Sequence, residues 1–275
     1  MKTNRSNFLC GFMGAGKSTI LKEIDTKENI TCMDLDLHIE NLYGPINKIF
    51  EDKGENYFRS IEQEEFFKQV QPEEDMYNYT LDFFASCLAG HTRDELFHIW
   101  TGSGSNGKSI SIGMFQDGLG DYSTTISCTL LTNKRSASNT ASPEMVKTKG
   151  KRFVVFQEPE NDDKIHVGHM KELTGNDKIK ARGLHKEPIE FKPQFKLALL
   201  CNELPEVPPH DKGTWRRLEV TEFPSIFCEN PKEENEFKID KTISEKMKNW
   251  NETFMAYLID VYYKRYKEEG VKPPA

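Results

Sequence analysis

The chain has 275 residues, 29% charged and 36% hydrophobic, a balance that excludes a disordered chain and leaves room for one large domain or two small ones. Its net charge of −7 argues against wholesale coating of nucleic acid, and no apolar run approaches the roughly 20 residues that cross a bilayer. Six scattered cysteines (10, 32, 87, 128, 201, 228) include no Cys-x-x-Cys pair, so neither a disulfide framework nor a metal knuckle is expected and a reducing compartment fits.

In chain order, the first residues carry no apolar signal core, so a secreted protein is not expected. Residues 7–10 read as a short strand entering Gly11 to Ser18 (GFMGAGKS), after which helix-compatible residues follow. Residues 30–36 read as a second strand ending in Asp34 and Asp36, and residues 37–70 have a helical pattern. Residues 71–75 (QPEED) are a polar, Pro-bearing break, where a domain boundary is expected. An apolar helix over 76–90 leads to the strand Phe97–Trp100 and to Gly102 through Ser109 (GSGSNGKS). Buried-type strands follow at 151–156 and 195–201. Met247, Trp250, Phe254, Leu258, Tyr262 and Tyr266 recur at helical spacing and predict a long, core-facing C-terminal helix.

Two segments therefore share one spacing: glycine, four residues, glycine, lysine, serine. In such a loop the glycines turn backbone N–H groups toward a phosphate. The lysine places a point charge on the outer phosphates, and the serine hydroxyl reaches Mg²⁺. The strand before and helix after supply the dipole that favours an anion. Candidate nucleotide ligands are Gly11, Gly14, Gly16, Lys17 and Ser18 in the first loop, and Gly102, Gly104, Asn106, Gly107, Lys108 and Ser109 in the second.

An ATPase also needs a carboxylate at a strand end, a polar sensor and often an arginine from a neighbour. After the second loop, strand 151–156 runs into Gln157, Glu158 and Glu160, strand 195–201 ends at Asn202, and Arg216 and Arg217 follow in a loop. Taken singly, Glu158 reads as a surface acid and Asn202 as a turn former; the ordered set is much harder to dismiss. Between the two strands, Lys178, Lys180 and Arg182 fall on one face of a basic hairpin that could track a phosphate backbone or be merely solvated. Residues 1–75 hold 9 Lys+Arg against 15 Asp+Glu, so the acidity is concentrated there.

The runs IWTGSGSNGKS, GKRFVVFQEPE, MKELTGNDKIKARGLHKEPIEFKPQFKLALLCNELP and GTWRRLEVTEFPSIF make residues 76–275 resemble the helicase domain of viral superfamily 3 ATPases, of the kind found in primase–helicases of poxviruses and other large DNA viruses. The resemblance implies an AAA+-like α/β P-loop NTPase that forms a homo-oligomeric, hexameric ring. It would hydrolyse ATP with Mg²⁺ between subunits while pulling single-stranded or forked DNA. It implies Lys108 and Ser109 on phosphates and Mg²⁺, Glu158 activating water, Gln157 or Glu160 near the metal, Asn202 as sensor and Arg217, rather than Arg216, as the arginine acting in trans. The hairpin around His185 and Lys186 would touch DNA. A cytoplasmic (virus factory or host cytoplasm) or nuclear setting is implied, with no membrane.

GFMGAGKST, MDLD and IFEDKGENYFRSIEQEEF make residues 7–67 resemble the N-terminal part of shikimate kinase. By that resemblance Asp34 and Asp36 would sit near Mg²⁺ and substrate hydroxyls, and Arg59 would grip a carboxylate. That family's glycine-rich substrate loop and arginine-bearing lid have no counterpart in the chain, so residues 1–70 are expected to be a partial kinase-like segment with little activity. The leading expectation is a DNA-linked ATPase motor; the alternatives are a small-molecule kinase, and a nucleotide-binding assembly module without catalysis.

Overall fold

The computed structural model describes residues 35–132, 141–159, 164–207 and 211–274. The first glycine-rich loop, with Gly11, Gly14, Gly16, Lys17 and Ser18, and also Asp34 and Glu160 lie outside the described residues.

Four helices come first: α1 (Leu35–Tyr43), α2 (Ile46–Lys53), α3 (Glu55–Val70) and α4 (Glu74–Cys87). Leu35 and Asp36, expected at the end of a strand, open α1 instead; Asp36 sits in its first turn, where a carboxylate complements the helix dipole. Five parallel strands then build the central sheet: β1 (Phe97–Thr101), β2 (Ser123–Ile126), β3 (Phe153–Phe156), β6 (Lys196–Leu200) and β7 (Leu218–Glu222). Their spatial order is β2-β3-β6-β1-β7, so the strand that feeds the second loop is flanked by the two strands of this sheet that come last in the sequence. Helix α5 (Lys108–Leu119) follows β1. The short α6 (Thr129–Thr132) and α7 (Pro143–Lys147) follow β2, and α8 (Val167–Thr174) leads into the antiparallel hairpin β4 (Ile179–Arg182) and β5 (Pro188–Phe191). Helix α9 (Lys212–Trp215) precedes β7, and β8 (Ile226–Cys228) pairs with β9 (Glu236–Lys238).

The three inner strands, β3, β6 and β1, are mostly apolar on both faces because both are covered, as parallel sheets require. Trp100, Phe153, Val155 and Ala198 point into a core shared with α3, α4, α5 and the C-terminal helix. Ile99, Val154, Phe156, Leu197 and Leu199 point into a second core with α8 and the hairpin. That alternation is the period-two geometry of a strand. The C-terminal helix runs as α10 (Ile243–Tyr257), a π-turn over Leu258–Tyr262 and α11 (Tyr263–Glu269). All six residues of the expected stripe are buried.

Among the described residues, helices on both sides of the break at 71–75 share one core. Leu35, Ile39, Phe58, Phe66 and Phe67 belong to the same core as Phe84, Trp100 and Trp250. Phe67 stacks on Phe254 with centroids 5.1 Å apart, and the Trp250 indole N–H donates to Glu62 at 3.1 Å. A polar stretch with a proline makes a helix–helix turn as readily as a linker, so composition alone does not decide between the two.

Candidate nucleotide site

Gly102 and Gly107 bracket the second loop with φ of 137° and 84°, values that a side chain disfavours. Space is lacking as well as conformation: a Cβ on Gly102 would meet the Phe223 carbonyl at 2.5 Å, and one on Gly107 would meet Val70 at 2.6 Å. Gly107 is the N-cap of α5, so the loop delivers its backbone to the positive end of a 12-residue helix. Ser105, also at positive φ (61°), completes the turn. Buried Asn106 braces the loop from inside, donating from Nδ2 to the Phe223 carbonyl at 3.5 Å and accepting from the Lys108 N–H at 3.4 Å.

Lys108 Nζ donates to the Gly102 carbonyl at 2.7 Å and to the Cys201 carbonyl at 3.0 Å, tying the loop to the end of β6. Burial lowers its pKa, against the Cys201 thiol and the Glu158 carboxylate, which raise it. Glu158 follows β3 and accepts the backbone N–H of Asn202 at 3.2 Å, while the Asn202 carbonyl accepts from the Thr101 hydroxyl at 3.0 Å. The expected sensor is therefore held by its backbone, and its side chain is exposed.

The carboxyl ends of β1, β3 and β6 thus converge on a cavity of about 380 Å³. Gly104, Asn106, Lys108, Ser109, Glu158 and Asn202 all line it, which is where an open parallel sheet accepts a ligand. Among the described residues no three His, Cys, Asp or Glu side chains cluster for a metal. The oxygens of Ser109 and Glu158 nevertheless suit Mg²⁺, which is usually held by one or two protein oxygens together with the substrate's phosphates. Gln116, Thr125 and Cys201 also line the cavity, and no sequence signal singles them out.

The remaining candidates lie elsewhere. The backbone carbonyl of Arg217 accepts from the N–H of Phe97, so Arg217 sits at the amino end of β1, opposite the cavity. Its guanidinium donates to Glu95 at 2.7 Å and to the Gly213 carbonyl at 2.7 Å, and its side chain is 11% exposed; neighbouring Arg216 shares Glu95 but is 60% exposed. On the hairpin, Lys178 and Lys180 flank Glu190 at 3.3 and 3.9 Å, Arg182 ends β4, and His185 turns the tip at φ 53° beside exposed Lys186. Asp36 and Arg59 do not line the cavity that holds Lys108 and Glu158. Asp36 pairs with Lys246 at 2.7 Å, and Arg59 with Glu62 at 2.6 Å and Glu55 at 3.1 Å, so the carboxylate-gripping fork expected of Arg59 is taken up by the chain's own acids.

Residues 100–217 match a family of unknown function (DUF5906), and residues 13–76 match the shikimate kinase family. A putative helicase of Acanthamoeba polyphaga mimivirus is 42% identical over 233 residues, covering 81% of this chain and 24% of that protein. A putative helicase of Frog virus 3 is 37% identical over 166 residues, covering 59% of this chain and 17% of that protein. A putative primase of African swine fever virus is 24% identical over 172 residues. The chain spans about a quarter or less of the length of these relatives. The apo structure of the NrS-1 C-terminal region superposes with a TM-score of 0.56 at 14% identity over 76% of this chain and 46% of that one. The chain thus resembles viral proteins named as helicases, carries a shikimate kinase-like N-terminal segment and has the parallel-sheet fold of a P-loop NTPase. The mimivirus match covers 81% of 275 residues, so it begins no later than about residue 54 and overlaps the shikimate kinase match.

Proposed function

We propose that this chain carries the ATP-hydrolysing motor of a viral replication helicase, with the second loop as its nucleotide site. One observation carries the reading: a glycine-bracketed loop with Lys108 and Ser109, an acid after a neighbouring strand and a polar residue after the next all open on one cavity. The loop N–H groups and Lys108 would hold the phosphates. Ser109 and Glu158 would hold Mg²⁺, which neutralises charge on the transferring phosphoryl group. Glu158, oriented by the Asn202 N–H, would draw a proton from the attacking water. The relatives named as helicases support DNA as the track, and the working assembly of this reading is a homo-oligomeric ring. In that ring Arg217, pre-oriented by Glu95, would reach a neighbour's phosphates, and Lys178, Lys180, Arg182, His185 and Lys186 would face the strand.

Steady-state ATP hydrolysis, alone, with single-stranded DNA and with shikimate, tests this. Lys108→Ala is expected to lower kcat at least a hundredfold, on the order expected when a phosphate-stabilising charge is removed, while Lys17→Ala leaves most activity. DNA is expected to stimulate turnover and shikimate to have no effect. Equal losses in the two variants, or shikimate-dependent turnover that survives Lys108→Ala, would sink the one-site reading.

A further inference from the structure

We propose that the end of α3, through Gln71 with Gln69 and Val70, positions the second loop, and so belongs to the nucleotide site rather than to a separate kinase-like segment. This deepens the nucleotide-site reading above and rests on it. The link runs through a strap formed by residues 222–228. Buried Gln71 donates from Nε2 to the Glu222 carbonyl at 3.0 Å, and buried Ser225 donates from Oγ to the Gln69 carbonyl at 2.6 Å. The strap in turn grips the loop. The Phe227 N–H donates to the Ser105 carbonyl at 2.7 Å, and the Phe223 carbonyl accepts from Asn106.

Val70 closes the same path by direct contact, because it fills the space a Cβ on Gly107 would need. Phe227 lies against Phe66 on α3, with ring centroids 6.2 Å apart. The loop is therefore held from two sides, by Lys108 reaching β6 and by the strap reaching α3. Each strap bond is made by a buried side chain, Gln71 or Ser225, so removing its polar group is expected to loosen the loop. The mimivirus match, beginning no later than about residue 54, includes α3 in the helicase-like unit on independent grounds. Arg59 and Glu62 on the same helix are engaged with each other and with Lys246 and Trp250, which fixes α3 rather than leaving it free to bind a small acid.

Backbone hydrogen–deuterium exchange over residues 103–109, together with binding of a fluorescent ATP analogue, tests the proposal in Gln71→Leu and Ser225→Ala. Phe58→Leu, which loosens α3 away from the strap, serves as comparison. Loop exchange is expected to accelerate in the first two variants and not in the third, with nucleotide binding weakened about tenfold in step. Equal loop exchange in all three variants, or no change in any, overturns it. Should Gln71→Leu fail to fold, the smaller change Ser225→Ala decides alone. Loop exchange that responds as expected in a wild-type chain that binds no nucleotide would keep the strap and discard the nucleotide reading.

Discussion

His98 stands in the middle of β1 with its ring centroid 4.0 Å from that of Phe83, and its Nδ1 has no hydrogen-bond partner. Burial, helped by the nearby Lys196 charge, pushes its pKa down from 6.5 to about 3, and Asp94 only partly opposes this. The folded chain therefore holds His98 neutral where the unfolded chain protonates it. Above pH 6.5 the two states bind the same number of protons, and as pH falls toward 3 the unfolded state binds one more. Stability is then lost at about 1.4 kcal/mol per pH unit from this one residue. Urea unfolding at pH 7.0, 6.0 and 5.0 is expected to show a smaller acid loss in His98→Leu than in the parent, by roughly 1–2 kcal/mol at pH 5.0. Parallel curves for the two proteins would mean that His98 is protonated without cost in the fold. Nothing in the sequence marks this residue, because its environment comes from α4 packing across β1.

At the scale of elements, the strands and the C-terminal helix were the most legible parts, because burial on one or both faces imposes a period that composition cannot hide. The stripe from Met247 to Tyr266 is buried throughout, although the helix passes through a π-turn at 258–262 that no periodicity announces. The second loop was legible because its chemistry is local, whereas its supports were not: Phe223 and Gln71 reach their partners from 117 and 151 residues away. The hairpin is the element whose role is most exposed to test. Lys180 is 75% exposed and pairs only loosely with Glu190, and Lys186 is exposed at the tip. Charge reversal of Lys180 and Lys186 together is expected to flatten the salt dependence of single-strand binding by about 1.4 in the log–log slope, the counterions released by two phosphate contacts. An unchanged slope would take the hairpin off the DNA path.

For the whole molecule, the two resemblances suggested a chain in two pieces, and packing instead gives the described residues one continuous core on the α3 face of the sheet. Sequence families divide a chain by ancestry, while a core is divided by which apolar faces need each other. Phe66 and Phe67 cover Trp250 and Phe254, and Lys246 is held by Asp36, Glu62 and Asp240. A chain starting at residue 74 is accordingly expected to lose its cooperative unfolding transition and to aggregate, since it would expose the apolar side of α10; calorimetry and sedimentation of that fragment beside the full chain measure this. A soluble fragment with a sharp transition would support a boundary at 71–75.

The polarity of the parallel sheet has a consequence for symmetry. The cavity opens at the carboxyl ends of the strands, and Arg216 and Arg217 sit at the amino end of β1, about 16 Å of strand away. An arginine that serves a neighbour's phosphates from that end must join unlike patches. A two-fold dimer makes such a contact only as a reciprocal pair, each subunit's arginine against its partner's cavity, and so stops at two copies. A head-to-tail arrangement carries it to more copies and has two outcomes: a rotation that closes gives a ring in which every subunit both lends and receives an arginine, and one that does not close gives a filament with an unserved site at one end.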